Sequence, residues 1–189
     1  MDAREFVSLT LLATGGHVQG KTKLQKLVYL VGVITDSLQE LGYRPHFYGP
    51  YSDDVAYAVT QLKAIGAIDQ AVSEWGRDSS GFELRRYDFS LNEAGRAYAQ
   101  QIAIQYPAIW ARIQAAVRLY NQAGDRDYMS LSIAAKAYFL LGHKKAPASD
   151  AEIAKLAEKF GWSVSAQQVR EAVSYLVDLG VVERVANGH

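Results

Sequence analysis

The side chains with chemistry to offer sit mostly at the starts of helices. Toward the end of the chain, Ser165 precedes a helical run over 166–179 whose first polar positions are Gln167, Gln168 and Arg170, with Ser174 a turn further on. Glutamine and arginine carry paired hydrogen-bonding groups that match base edges bidentately. A helix-turn-helix presents the N-terminal residues of its later helix to the major groove. Lys144, Lys145 and Lys155 precede that run and are candidate phosphate contacts. Upstream, Lys21, Lys23 and Lys26 open another helix, and Arg77, Arg85 and Arg86 flank a predicted hairpin. All six offer charge to phosphates. They fit the solvated start of a helix and the rim of a hairpin equally well, and Lys21 lies off the face that Lys23 and Lys26 share.

Other chemistries find no footing. His17, His46, His143 and His189 lack metal-ligand spacing, and the chain has no cysteine, which removes disulfides, thiol nucleophiles and thiolate metal sites. There is no nucleophile elbow, zinc-protease helix, phosphate loop or dinucleotide fingerprint. The expectation is a protein without enzymatic activity, cofactor or metal. Lys+Arg and Asp+Glu number 20 each in 189 residues, so the net charge is zero. That argues against a polycation that coats nucleic acid and leaves room for a local basic patch. No stretch reads as a signal peptide or reaches membrane-spanning length, so a cytoplasmic protein without a membrane partner is expected.

The elements that position these residues follow from periodicity. An apolar run from Phe6 to Ala13 ends at Gly15-Gly16. A long helix is predicted from Lys21 to Leu41, with Leu24, Leu27, Val28, Val31, Ile34, Leu38 and Leu41 on one face. Ser52 caps a third helix that ends at Gly66, with Asp53 and Asp54 in its first turn and Val55, Val59, Leu62 and Ile65 on its buried face. Two carboxylates there repel phosphates, so a role in the cap and helix dipole is favoured over base reading. Between these helices Tyr43, His46, Phe47, Tyr48 and Tyr51 surround a Gly49-Pro50 turn. Such aromatics stack on bases or ligands, and more often they seal a small core. From Ala67 to Trp75 and Phe82 to Leu91 the period changes to that of strands, with a bulge expected near Arg85-Arg86.

Asn92 to Ala123 reads as two helices broken at Pro107, with more apolar residues than a connector needs. A homodimer or interdomain interface through residues 92–123 is expected. A second unit then repeats the order helix, helix, helix, strand. It comprises Ser130 to Leu141, Asp150 to Phe160 behind a Ser149/Glu152 capping box, Ala166 to Leu179, and a short strand Val181 to Val185.

Two segments carry a family resemblance. Lys21 to Leu30 (K-T-K-L-Q-K-L-V-Y-L) and Phe47 to Val55 (F-Y-G-P-Y-S-D-D-V), followed by L-x-x-x-G-x-I, resemble an uncharacterised prokaryotic winged-helix family. That family is distantly similar to the Panacea (SocA-like) antitoxin-type domain. Its signature turn maps to Tyr48, Gly49, Pro50, Tyr51 and Ser52. Leu91 to Arg96 (L-N-E-A-G-R) resembles the step after the wing of many winged-helix regulators. The resemblance implies a binding or regulatory module in a regulatory or defence setting, and brings no catalytic residues. The sequence thus predicts a mainly α fold with small β-hairpins, as tandem winged-helix units joined by helices. The boundaries are 1–91, 92–127 and 128–189. Double-stranded DNA is the expected partner, with a transcription-regulating or antitoxin-like role; the alternative is a protein-interaction module that does not bind DNA.

Overall fold

Asp2 accepts a hydrogen bond from the Glu5 amide while the Glu5 carboxylate accepts one from the Asp2 amide, a capping box that starts α1 (Ala3–Ala13). Gly15 and Gly16, both at positive φ, turn the chain into a short strand, β1 (His17–Gln19). Three residues show no readable period, so the sequence suggested only turns here. The computed structural model describes residues 1–77, 83–144 and 146–184, and the side chains of 74–77 and 83–84 lie outside that description.

Helix α2 (Lys21–Ile34) is shorter than its apolar stripe predicts. The Thr35 hydroxyl donates back to the Val31 carbonyl, Asp36 takes a φ of 54°, and Leu38–Leu41 forms a 3-10 turn. That turn folds Leu41 over Gly32, where a Cβ would lie 3.0 Å from the Leu41 side chain. Strands β2 (Tyr43–Arg44) and β3 (Tyr51–Ser52) pair antiparallel and close the loop that holds Gly49-Pro50. Ser52 then caps α3 (Asp53–Ala64), its Oγ accepting from the Val55 amide at 2.9 Å.

Strands β4 (Ile68–Arg77) and β5 (Glu83–Leu91) form the expected hairpin, and β1 pairs with the other edge of β5 in an antiparallel sheet of order β1-β5-β4. The register slips between Glu74 and Arg77, opposite Glu83 and Arg85, which places the irregularity beside the predicted bulge. Helices α4 (Glu93–Gln105) and α5 (Pro107–Gln122) meet at Tyr106, with Pro107 in the first position of α5, where its missing N–H costs nothing. Helices α6 (Tyr128–Lys144), α7 (Asp150–Glu158) and α8 (Ala166–Asp178) complete the described chain. The fold is therefore mainly helical with small antiparallel sheets.

One expectation changes. Residues 181–184 form no strand, and Val185 lies outside the described residues. Val181 and Val182 pack on the core instead. The apolar face of α5 (Ile113, Ala116, Val117 and Tyr120) is buried within the same chain, where α5 packs on α1 and α2. One continuous core runs through Leu9, Leu27, Leu62, Phe89, Ile113, Leu131 and Leu176, and so crosses both boundaries drawn from the sequence. A smaller cluster of Leu140, Ile153, Ala157, Trp162 and Val169 sits among α6, α7 and α8.

Candidate functional site

The first turn of α2 projects Lys21 and Lys23 outward and turns Gln25 and Lys26 inward. Gln25 is buried and grips the start of α3: its amide donates to the Ser52 carbonyl at 2.8 Å and its oxygen accepts from the Ser52 amide at 3.1 Å. Ser52 Oγ donates to the Leu41 carbonyl, and Tyr43 OH donates to the Gln25 carbonyl at 2.8 Å. Lys26 is 1% exposed, and its ammonium donates to the Pro50 carbonyl. Burial, followed by the like charge of Lys136 on α6, lowers its pKa to about 8. Lys26 was expected to meet a phosphate. The structure corrects this, because a buried ammonium held on a backbone carbonyl cannot reach a duplex.

The Gly-Pro turn is thereby fixed from one side by α2. From the other side it meets α6 and the loop before α8. Gly49 has a φ of 92°, and a Cβ there would lie 3.0 Å from Lys136 Cγ and 3.3 Å from the Ser132 carbonyl. Trp162 Nε1 donates to the His46 carbonyl at 2.7 Å, and the Lys136 ammonium sits 5.5 Å from the Trp162 ring. The signature residues Tyr48 to Ser52 thus form a joint between the first three helices and the last three. Their aromatic neighbours divide. Tyr43 packs edge-on against Tyr29 at 4.9 Å, His46 lies against Tyr51 at 5.0 Å, and Phe47 and Tyr48 stand 81% and 54% exposed. The packing expected for the whole cluster therefore holds for its inner members, while its outer ones face solvent.

Beside the joint, α2, α3, the turn and the sheet enclose a pocket of about 290 Å³. Its apolar walls are Leu24, Val55, Ala56, Val59 and Phe89, and its rim and floor carry Tyr48, Tyr51, Thr60, Gln70, His46, Lys21, Lys26 and Lys63. Among the described residues no aspartate or glutamate lines it. The Lys21 ammonium lies 3.9 Å from the centre of the Tyr87 ring, and Lys63 donates to Gln70 Oε1 at 2.6 Å. Neither has a carboxylate partner among the described residues, so both charges remain uncompensated. Lys63, Thr60 and Gln70 were not singled out from the sequence, because helix and strand meet here only through the fold.

The remaining candidates are mostly engaged. Lys23 pairs with Asp125 at 2.6 Å. Arg86 pairs with the buried Asp88, Arg85 is exposed, and the side chain of Arg77 lies outside the described residues. On α8, Gln168 closes a capping box with Ser165, Gln167 donates to Glu171 at 2.7 Å, and Arg170 pairs with Asp150 at 3.1 Å. Ser174 is exposed on the same helix. Lys144 pairs with Glu152 at 2.8 Å; this contact, with the Ser149 amide, lowers the Glu152 pKa to about 2. Lys155 is exposed, and Lys145 lies outside the described residues. At the start of α3, Asp53 pairs with Arg44 and Asp54 lies against Gly42, while the cap itself is Ser52. Among the described residues no group of three or more metal-binding side chains occurs, and no helix is long and apolar enough to cross a membrane.

Comparison with known proteins adds one relative. Over 99 residues the chain is 28% identical to an uncharacterised protein of Bacillus subtilis (strain 168), YwgA, covering 52% of this chain and 55% of that protein. The chain spans about half the length of the curated relative it matches. No family model matches.

Proposed function

We propose that this protein is a winged-helix DNA-binding regulator, built from two helix-turn-helix units, whose phosphate-facing surface lies on the first unit. The observation that carries the reading is the element order α1-β1-α2-α3-β4-β5 with β1 completing the sheet β1-β5-β4. Helix α3 opens with Asp53 and Asp54, so base reading by its N-terminus stays disfavoured, and the phosphate-facing parts of this unit are the start of α2 and the far end of α3, where Lys63 lies. Lys21 and Lys63 supply positive charge on those elements with only neutral partners. On α8 the expected base readers already have partners within their own unit. The helix order α6-α7-α8 supports the second unit. A defence or toxin–antitoxin setting follows from the two motif resemblances.

The test is a duplex shift assay across a salt series. Each lost phosphate contact lowers the log–log salt slope by about one. The double variant Lys21→Ala/Lys63→Ala is expected to lower it by about two. An unchanged slope moves the interface elsewhere, and no binding at low salt overturns the reading. Exposed Phe47, Tyr48 and Tyr57 favour the second reading, a partner protein docked on the first unit. A stoichiometric protein recovered by co-purification, lost in Phe47→Ser, would support it.

A further inference from the structure

We propose that the pocket between α2, α3 and the sheet binds a small, single-ring aromatic carboxylate. This goes beyond DNA binding and does not depend on it. Three features of the pocket converge. Its size, about 290 Å³, is at the small end of the roughly 300–1,000 Å³ of ligand sites. That is room for one ring and a short polar group. Its walls are apolar, with Val55, Val59 and Phe89 inside and Tyr48 at the mouth, which suits a flat ring.

Its charge is one-sided. Lys21, Lys26 and Lys63 line it in a molecule of zero net charge, and among the described residues no carboxylate does. Lys26 is the sharpest case. Buried charges are ordinarily paired, yet this ammonium has only a backbone carbonyl for company and the like charge of Lys136 acting on it. An anion in the pocket supplies the missing counter-charge. Gln70 and Thr60 add hydrogen-bonding groups at the rim that can orient it.

The experiment is isothermal titration of the full chain, without DNA, using four probes. Benzoate and salicylate carry ring and charge, benzyl alcohol the ring alone, and inorganic phosphate the charge alone. The expected result is a dissociation constant below about 1 mM for an aromatic carboxylate, at least about tenfold tighter than either control. Lys63→Gln, an exposed position that leaves the core untouched, should weaken binding several-fold. Ala56→Phe should fill the pocket and abolish binding while circular dichroism stays native. If Ala56→Phe fails to fold, Lys63→Gln alone decides. Equal binding of benzyl alcohol, binding of phosphate alone, absence of binding, or indifference to Lys63→Gln each overturns the proposal. Failure of DNA binding leaves it standing, since no arm of the titration contains DNA.

Discussion

Lys26 shows how one residue changes meaning between sequence and structure. Written out, Lys21, Lys23 and Lys26 look like one basic set. Folded, Lys21 rests on an aromatic ring, Lys23 pairs with Asp125, and Lys26 holds the Pro50 carbonyl from inside. The distinction was not legible because Pro50 and Asp125 are far along the chain. A hint was present in Gln25-Lys26, polar residues beside the apolar stripe of Leu24, Leu27 and Val28. The pH dependence follows from the shift. The Lys26 pKa falls from about 10.5 to about 8 on folding. Between those values the unfolded chain holds a proton that the folded one has released, so stability rises with pH. The full swing is on the order of 3 kcal/mol. Lys136 on α6, also lowered by burial, acts in the same direction. Buried Tyr29 and Tyr43, raised by burial, oppose it above about pH 10, where unfolded tyrosine ionises. The urea midpoint is therefore expected to climb from pH 7.5 to pH 9.5, and Lys26→Met should flatten the climb. Equal slopes in the two proteins would refute this account of Lys26.

At the scale of elements, the motif Leu91 to Arg96 is where sequence and structure agree most closely. Asn92 caps α4, accepting from the Gly95 amide at 3.0 Å, and its amide reaches the Gly66 carbonyl at 2.8 Å. Arg96 donates to the Gly15 carbonyl at 2.9 Å. The motif therefore ties the end of the hairpin to the turn after α3 and to the turn before β1. The cap was readable because it is local, and the two tethers were not because they depend on packing. Gly95 completes the motif: a Cβ there would fall 1.9 Å from the Ala67 carbonyl oxygen. Gly142, inside α6, has open space around its Cβ position. The same substitution should thus act with opposite signs. Gly95→Ala is expected to cost about 2–4 kcal/mol by forcing backbone apart, while Gly142→Ala should stabilise by about 0.5–1 kcal/mol through helix propensity. Chemical denaturation of the two variants checks both, and a neutral Gly95→Ala would mean that the α3–β4 turn yields freely.

For the molecule as a whole, the question is whether the two units inferred from sequence behave as two bodies. Repeated element order suggested a pair of units with a linker, and helix spacing made each unit legible. What spacing cannot reveal is that α6, the first helix of the second unit, packs on α2 of the first as well as on α8. The core passes from Leu9 and Leu27 through Ile113 and Leu131 to Leu176 without a break, so unfolding either end exposes the other. A single cooperative transition is expected, with calorimetric and van't Hoff enthalpies in agreement. Trp162 probes the joint directly, since its indole N–H donates to the His46 carbonyl alongside the Gly49 amide and its ring stacks on Phe160 at 5.2 Å. Trp162→Phe keeps an aromatic ring but removes one of the two donors to that carbonyl, which retains the Gly49 amide, a loss of about 0.5–1.5 kcal/mol. The midpoint should fall while the transition stays single, because the shared core where α6 packs on α2 still couples the ends. Two resolved transitions in the wild-type protein would show instead that the units fold independently and that the joint contributes little to holding them together.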